Sequence, residues 1–293
     1  MLKHLLFTHD DLDGAGCKII FSLFFDKLED EFDVVICSNK NVDIMVSNEY
    51  NSKEDGARIS PEETVIWFAD IVASREIMEA LKDLGYEVKI FDHHRTNFFV
   101  QQIFESAVII PENDMGVMQS GTSLLYQYLV ANSNFNDLYE RNLFRAITYS
   151  NKWKVANFIG DLVFNIRSYD TFEFKETNNL VAKKLQMFFG FVGIDIFCSR
   201  YINKILLWAV QPANCNQVSD NIILADGDLA YVIDQRIVNE RDIIDKITPD
   251  SVYDIEVNGY KAAFSFPVFG TNVSELAYQF LRKYPEYDYL CTI

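Results

Sequence analysis

Lys3-His4-Leu5-Leu6-Phe7-Thr8-His9-Asp10-Asp11-Leu12-Asp13-Gly14-Ala15-Gly16 is an apolar run that ends abruptly in a histidine and three aspartates. Residues 3–8 read as a β-strand whose carboxyl end delivers His9, Asp11 and Asp13. Gly14, Ala15 and Gly16 permit a tight turn into an apolar helix over 16–28. Two further strands end the same way, 64–69 before Asp70 and 86–91 before Asp92-His93-His94. A strand over 32–37 and a helix over 74–84, stopped by Gly85, fall among them. This alternation predicts an α/β fold, a parallel-rich sheet with helices on both faces. Open sheets of that kind bind ligands at the carboxyl ends of their strands, where these polar clusters lie.

Histidine is scarce in this chain, and three of its four copies sit in the two aspartate-rich clusters. Imidazole and carboxylate together form a mixed nitrogen and oxygen ligand set for divalent metals. His9, Asp11, Asp13, Asp70, His93 and Asp170, the last following a helical stretch, supply four carboxylates and two imidazoles. That inventory suits two ions, which at roughly 3.5–4 Å apart commonly clamp the attacking and leaving oxygens of a displacement at phosphorus. His4, inside the first strand, reads as a structural residue.

The second half is more helical, with helices expected over 121–131, 138–149, 161–169 and 178–210. Pro212 and Asn214-Cys215-Asn216 then break the pattern. A strand over 221–225, a charged helix near 231–247, strands over 252–257 and 262–266 and a helix over 274–283 follow. The expected organisation is a metal-binding domain over 1–175, a helical connector over 176–215 and a smaller α/β domain over 216–293. The uncharged stretch 115–136 is too polar for a membrane span. Five scattered cysteines without CxxC spacing, and no leading signal, predict reduced thiols in a cytoplasmic protein. The net charge of −17, from 26 basic and 43 acidic residues, argues against long duplex nucleic acid as a partner. A short or small phosphate ester fits better.

Thr8-His9-Asp10-Asp11-Leu12-Asp13-Gly14-Ala15-Gly16, Ala69-Asp70, Phe91-Asp92-His93-His94 and Tyr169-Asp170-Thr171-Phe172, in this order, resemble the four motifs of the DHH phosphoesterase superfamily, nearest its oligoribonuclease branch. The resemblance implies that His9 and Asp11 hold one ion, that Asp13, His93 and Asp170 hold a second, and that Asp70 bridges both. It further implies that Asp92 orients a histidine and that His94 contacts the phosphate. It implies Mn2+ as the ion, with Mg2+ or Co2+ as substitutes. The implied reaction is hydrolysis of short single-stranded RNA from the 3′ end to nucleoside 5′-monophosphates. The alternatives are a small-molecule phosphoesterase acting on cyclic dinucleotides, 3′-phosphoadenosine 5′-phosphate or pyrophosphate, and a metal-binding interaction protein whose catalysis has decayed. Residues 269–276 resemble the early part of the family's C-terminal domain, and its glycine-rich histidine segment has no counterpart here. A partial second domain, with an exposed apolar patch or a homo-oligomeric contact, is therefore expected.

Overall fold

The computed structural model describes residues 2–25, 31–51, 60–132, 149–210, 230, 233–238, 252–257, 259–265 and 273–292. The chain divides into two compact units, Met1–Leu224 and Ala225–Ile293. The first is built on strands β1 (Lys3–His9), β2 (Glu31–Cys37), β3 (Thr64–Ala69), β4 (Glu87–Asp92) and the short β5 (Val108–Ile109). All pair in parallel, in the order β2-β1-β3-β4-β5. The register sets Thr8 against both Ile36 and Ala69, and Ala69 against Phe91. The residues that follow, His9, Asp70 and Asp92, therefore emerge along one edge of the sheet.

Alternate side chains on these strands serve two separate layers. Leu5, Phe7, Ile66, Phe68, Val88 and Ile90 join one core with Met78 and Leu81 of α3 (Arg75–Asp83) and Val46 of α2 (Val42–Asn51). On the other face Trp67 and Phe91 meet Tyr128 of α4 (Gly121–Asn132), and His4 accepts a hydrogen bond from Trp67 Nε1 at 3.1 Å. Helix cover on both faces explains why β3 is buried at every position and reads as an unbroken apolar run.

Helix α1 covers Leu12–Phe25, beginning four residues before the expected start. The Asp11 side chain accepts the Gly14 amide at 3.0 Å and its carbonyl accepts the Ala15 amide at 2.9 Å, so Asp11 caps the helix. Asp13 thus lies in the first helical turn. The glycines there serve close packing rather than a turn. A Cβ on Gly14 would stand 1.9 Å from the His9 carbonyl oxygen, and one on Gly16 2.3 Å from Thr122 Oγ1.

Helix α5 (Tyr149–Asp170) starts well before the expected 161, and the short α6 (Glu173–Thr177) and long α7 (Leu180–Val210) follow. Gly193, at φ 75° and ψ 169°, interrupts α7. Helix α2, β5 and a 3-10 helix over Arg95–Gln102 were not expected from periodicity. The helix expected over 138–149 lies outside the described residues except for its end, as do the strand over 221–225 and most of the helix near 231–247.

The second unit contains β6 (Tyr253–Val257) antiparallel to β7 (Tyr260–Ser265), and β8 (Tyr289–Thr292) parallel to β7. Helix α8 (Val273–Lys283) packs Phe280 with Ala263 and Tyr287. No described helix is long and apolar enough to cross a membrane. The four described cysteines are free thiols.

Candidate metal centre

Loops at one edge of the parallel sheet, the first turn of α1 and the last of α5 bring the predicted residues together. Three ligand groups have atoms within 4.8 Å of one another: His9 with Asp11 and Asp70, Asp13 with His93 and Asp170, and Asp70 with His93 and His94. Asp70 is common to the first and third, and His93 links the second and third. All six residues expected to hold metal therefore share one centre, with Asp70 near its middle.

The backbone around Asp70 is held in an uncommon shape. Its φ is 62°, in the left-handed region, at a cost of order 1–3 kcal/mol for a non-glycine residue. The Asp70 amide donates to the Phe91 carbonyl at 3.0 Å, and Gly121 presses against it from α4. A Cβ at Gly121 would stand 2.5 Å from Asp70 Cβ and 2.7 Å from its backbone nitrogen.

Asp13 is fixed by the start of α4. Gly121 N donates to Asp13 Oδ2 at 2.6 Å and Thr122 N to Oδ1 at 3.1 Å, while the Thr122 hydroxyl donates to the Asp13 carbonyl at 2.6 Å. Unpaired amides at a helix start favour a carboxylate there. Asp170 has the opposite setting, being the last residue of α5, where the dipole disfavours negative charge.

Asp70 Oδ2, Asp170 Oδ2 and His93 Nε2 are buried and, among the described residues, have no hydrogen-bond partner. His93 Nε2 lies 3.4 Å from Asp70 Oδ1 and 3.3 Å from Asp170 Oδ2. Burial, then the charges of Asp13 and Asp11, push the carboxyls of Asp70 and Asp170 well above the ordinary range. Burial also lowers the pKa of His93, keeping the ring neutral as a ligand must be. Crowded buried carboxylates facing an unprotonated imidazole are costly without a counter-ion. The donor set therefore fits divalent cations.

Two histidines are oriented by carboxylates. His9 Nδ1 pairs with Asp11 Oδ2 at 2.7 Å, which raises the histidine's pKa. Asp92, fully buried, accepts His94 N at 2.9 Å and pairs with His94 Nδ1 at 2.8 Å through Oδ1, and accepts Asn97 Nδ2 at 2.6 Å through Oδ2. Burial would raise Asp92, but these hydrogen bonds hold it below the ordinary carboxylate range, and they raise His94. With Nδ1 committed to Asp92, the half-exposed His94 has Nε2 for a ligand.

Asn97, Gly121 and Thr122 were missed by sequence reasoning. Asn97 returns to Asp92 only through the 3-10 turn, in which its amide donates to the His94 carbonyl at 3.0 Å. Ser120-Gly121-Thr122 was legible only as a helix start. An open cleft over the centre is lined by His9, Asp11, Asn39, Asp70, Ile71, Val72, His94, Thr96 and Asn97.

No family model matches the chain. It is 29% identical over 203 residues to oligoribonuclease NrnB of Bacillus subtilis (strain 168), covering 68% of this chain and 44% of that protein. The chain thus spans less than half the length of that relative. Among solved structures it is similar to RecJ in complex with Mn2+ from Thermus thermophilus, at 13% identity and a TM-score of 0.43, over 96% of this chain and 42% of that one. It is also similar to CDC45 from Entamoeba histolytica, at 12% identity and a TM-score of 0.46, over 99% of this chain and 81% of that one. Superpositions this loose carry no weight for function.

Proposed function

We propose, on the premise that this chain is a relative of the DHH-superfamily phosphoesterases, that it is a Mn2+-dependent phosphodiesterase that shortens short oligoribonucleotides from the 3′ end and releases nucleoside 5′-monophosphates. The observation that carries the hydrolytic reading is the meeting of three partnerless buried atoms, Asp70 Oδ2, Asp170 Oδ2 and His93 Nε2, beneath an open cleft. The substrate and direction rest on the motif resemblance and on the similarity to NrnB.

In this reading His9, Asp11 and Asp70 would hold one ion and Asp13, His93 and Asp170 the other, and Asp70, whose Oδ1 lies 3.4 Å from His93 Nε2, would serve both. Such a pair of ions supplies a Lewis acid, activates water at neutral pH and stabilises charge on the attacking and leaving oxygens. The protein's own part is positioning. His94 donates from Nε2 to a phosphate oxygen, and the developing charge is met by a ring that Asp92 already holds toward protonation. Asn97 holds Asp92 in turn. The α4 amides of Gly121 and Thr122 hold the Asp13 carboxylate aimed into the centre.

The test is to incubate the protein with Mn2+ and di- to pentanucleotide RNAs, a long single strand, cyclic dinucleotides and small phosphates, and to resolve the products by chromatography. Stepwise 5′-monophosphate release from short RNA, lost in Asp13→Ala, is the expected result. Preferential cleavage of a cyclic dinucleotide or small phosphate replaces this reading with the small-molecule one. Metal binding without turnover of any substrate replaces it with the interaction-protein reading.

A further inference from the structure

The two ligand groups differ in how they meet solvent. Of the six residues expected to hold metal, His9, Asp11 and Asp70 line the open cleft, and Asp13, His93 and Asp170 do not. The Asp11 side chain is nearly half exposed. Asp13 and His93 Nε2 are buried, and so is Asp170 Oδ2, the oxygen that lies 3.3 Å from His93 Nε2. The buried group also sits among packed helices. Asp13 is in the first turn of α1, Gly121 and Thr122 at the start of α4 bind it, and Asp170 ends α5. These three helices pack on one another.

The groups also differ in what their donor atoms already bond. On the cleft side the bonds are made. Asp11 Oδ2 pairs with His9 Nδ1 at 2.7 Å, and Asp11 Oδ1 accepts the Gly14 amide at 3.0 Å. An ion arriving there shares or displaces those bonds. On the buried side Asp13 accepts the α4 amides, but His93 Nε2 and Asp170 Oδ2 have no hydrogen-bond partner among the described residues. A buried polar atom without a partner is costly, so a cation that satisfies two of them at once gains most. Access and unmet bonding therefore point the same way. A cation is held tightest where its way out is most closed.

We propose that Asp13, His93 and Asp170 keep a resident divalent cation, and that His9 and Asp11 take up a second, exchangeable one from the cleft. The concentration of free cation then switches the centre between a one-ion and a two-ion form. The proposal rests on the two-ion reading of the same centre and adds the order of loading. It also makes the exchangeable ion the one that an incoming phosphate meets, because His9 and Asp11 line the cleft with His94. By linkage, a phosphate that binds this ion tightens it by the factor that the ion tightens the phosphate.

The experiment counts ions rather than products. The whole chain, stripped of metal, is titrated with Mn2+ by equilibrium dialysis, and bound metal is measured by mass spectrometry. The loaded protein is then mixed with excess EDTA, and the metal retained is followed over time. Two separate binding steps are expected, the first at least about tenfold tighter, the worth of one charge-assisted hydrogen bond. One ion should leave at once and the other at least about tenfold more slowly, as release that waits on local opening does. Asp11→Asn should lose the loose step and keep the tight, slow one, which also shows that the variant folds. Asp170→Asn should lose the tight step. Two ions of equal affinity that leave together, a single ion at saturation, or loss of the slow ion in Asp11→Asn overturns the proposal. Adenosine 5′-monophosphate separates it from the function proposed above. The nucleotide should tighten the loose step alone, and tightening of the slow ion instead overturns the proposal. Two distinct steps that the nucleotide does not move leave the loading order standing and count against the phosphodiesterase reading.

Discussion

Asp70 belongs to two of the three ligand groups, those of His9 with Asp11 and of His93 with His94, and carries a left-handed backbone that only its surroundings can hold. Asp70→Asn keeps the shape and removes the shared charge. Isothermal titration with Mn2+ should then find fewer than two ions per chain, with affinity down roughly a hundredfold or more, since even groups outside the ligand shell are typically worth 10–100-fold. Asn97→Ala should act differently, lowering kcat/KM about tenfold with ion stoichiometry intact, because the Asn97 side chain donates to Asp92, and neither residue belongs to a ligand group. Proton linkage follows from the raised carboxyls. Asp70 and Asp170 hold protons above the ordinary carboxylate range when no ion is bound, and an ion displaces them. Mn2+ binding should therefore release protons, and affinity should rise as pH climbs through that raised range. Titration in buffers of differing ionisation heat measures the release, and uptake of protons would contradict it.

Among the elements, the parallel strands and the start of α4 matter most. Register places three strand ends on one line, and α4 then pins Asp13 from above and Asp70 from the side. Gly121→Ala should push Asp70 outward, since the added methyl meets backbone rather than a mobile side-chain end. The expected outcome is loss of tight metal binding with little change in far-UV circular dichroism. Phe68→Ala, in the central strand, should instead cost roughly 3–5 kcal/mol of stability by urea unfolding, as a large cavity does. The central strands were legible because burial on both faces leaves continuous apolar runs. The start of α1 was misplaced because Gly14 and Gly16 suggest a turn, while their function is to let α1 approach His9 and Thr122. The 3-10 helix carries too few buried positions to leave a period: only Val100 is buried in it.

For the whole molecule, the net charge of −17 sets the terms on which an anionic substrate arrives. A basic-groove nuclease loses affinity as salt rises, because bound counter-ions are released on binding. Here the long-range interaction is repulsive, and salt screens it. Raising ionic strength from about 50 to about 200 mM, which shortens the screening length to below 10 Å, should lower KM for a short RNA or leave it unchanged. A several-fold rise in KM would show that a local basic patch dominates.

The chemistry of the centre was readable along the chain. Each cluster follows its own strand, and strand patterning and ligand type are both local properties of a few neighbouring residues. The sequence by itself therefore determined the parallel sheet, the edge that carries the site and the identities of the six converging side chains. Which atoms meet was decided by the tertiary structure. The bond from Gly121 to Asp13 joins residues 108 apart in sequence, and its existence depends on how α4 packs on α1. The meeting of the buried atoms of Asp70, His93 and Asp170 and the return of Asn97 to Asp92 have the same origin. They arise from strand register and helix packing over long loops, and no local pattern encodes such distances.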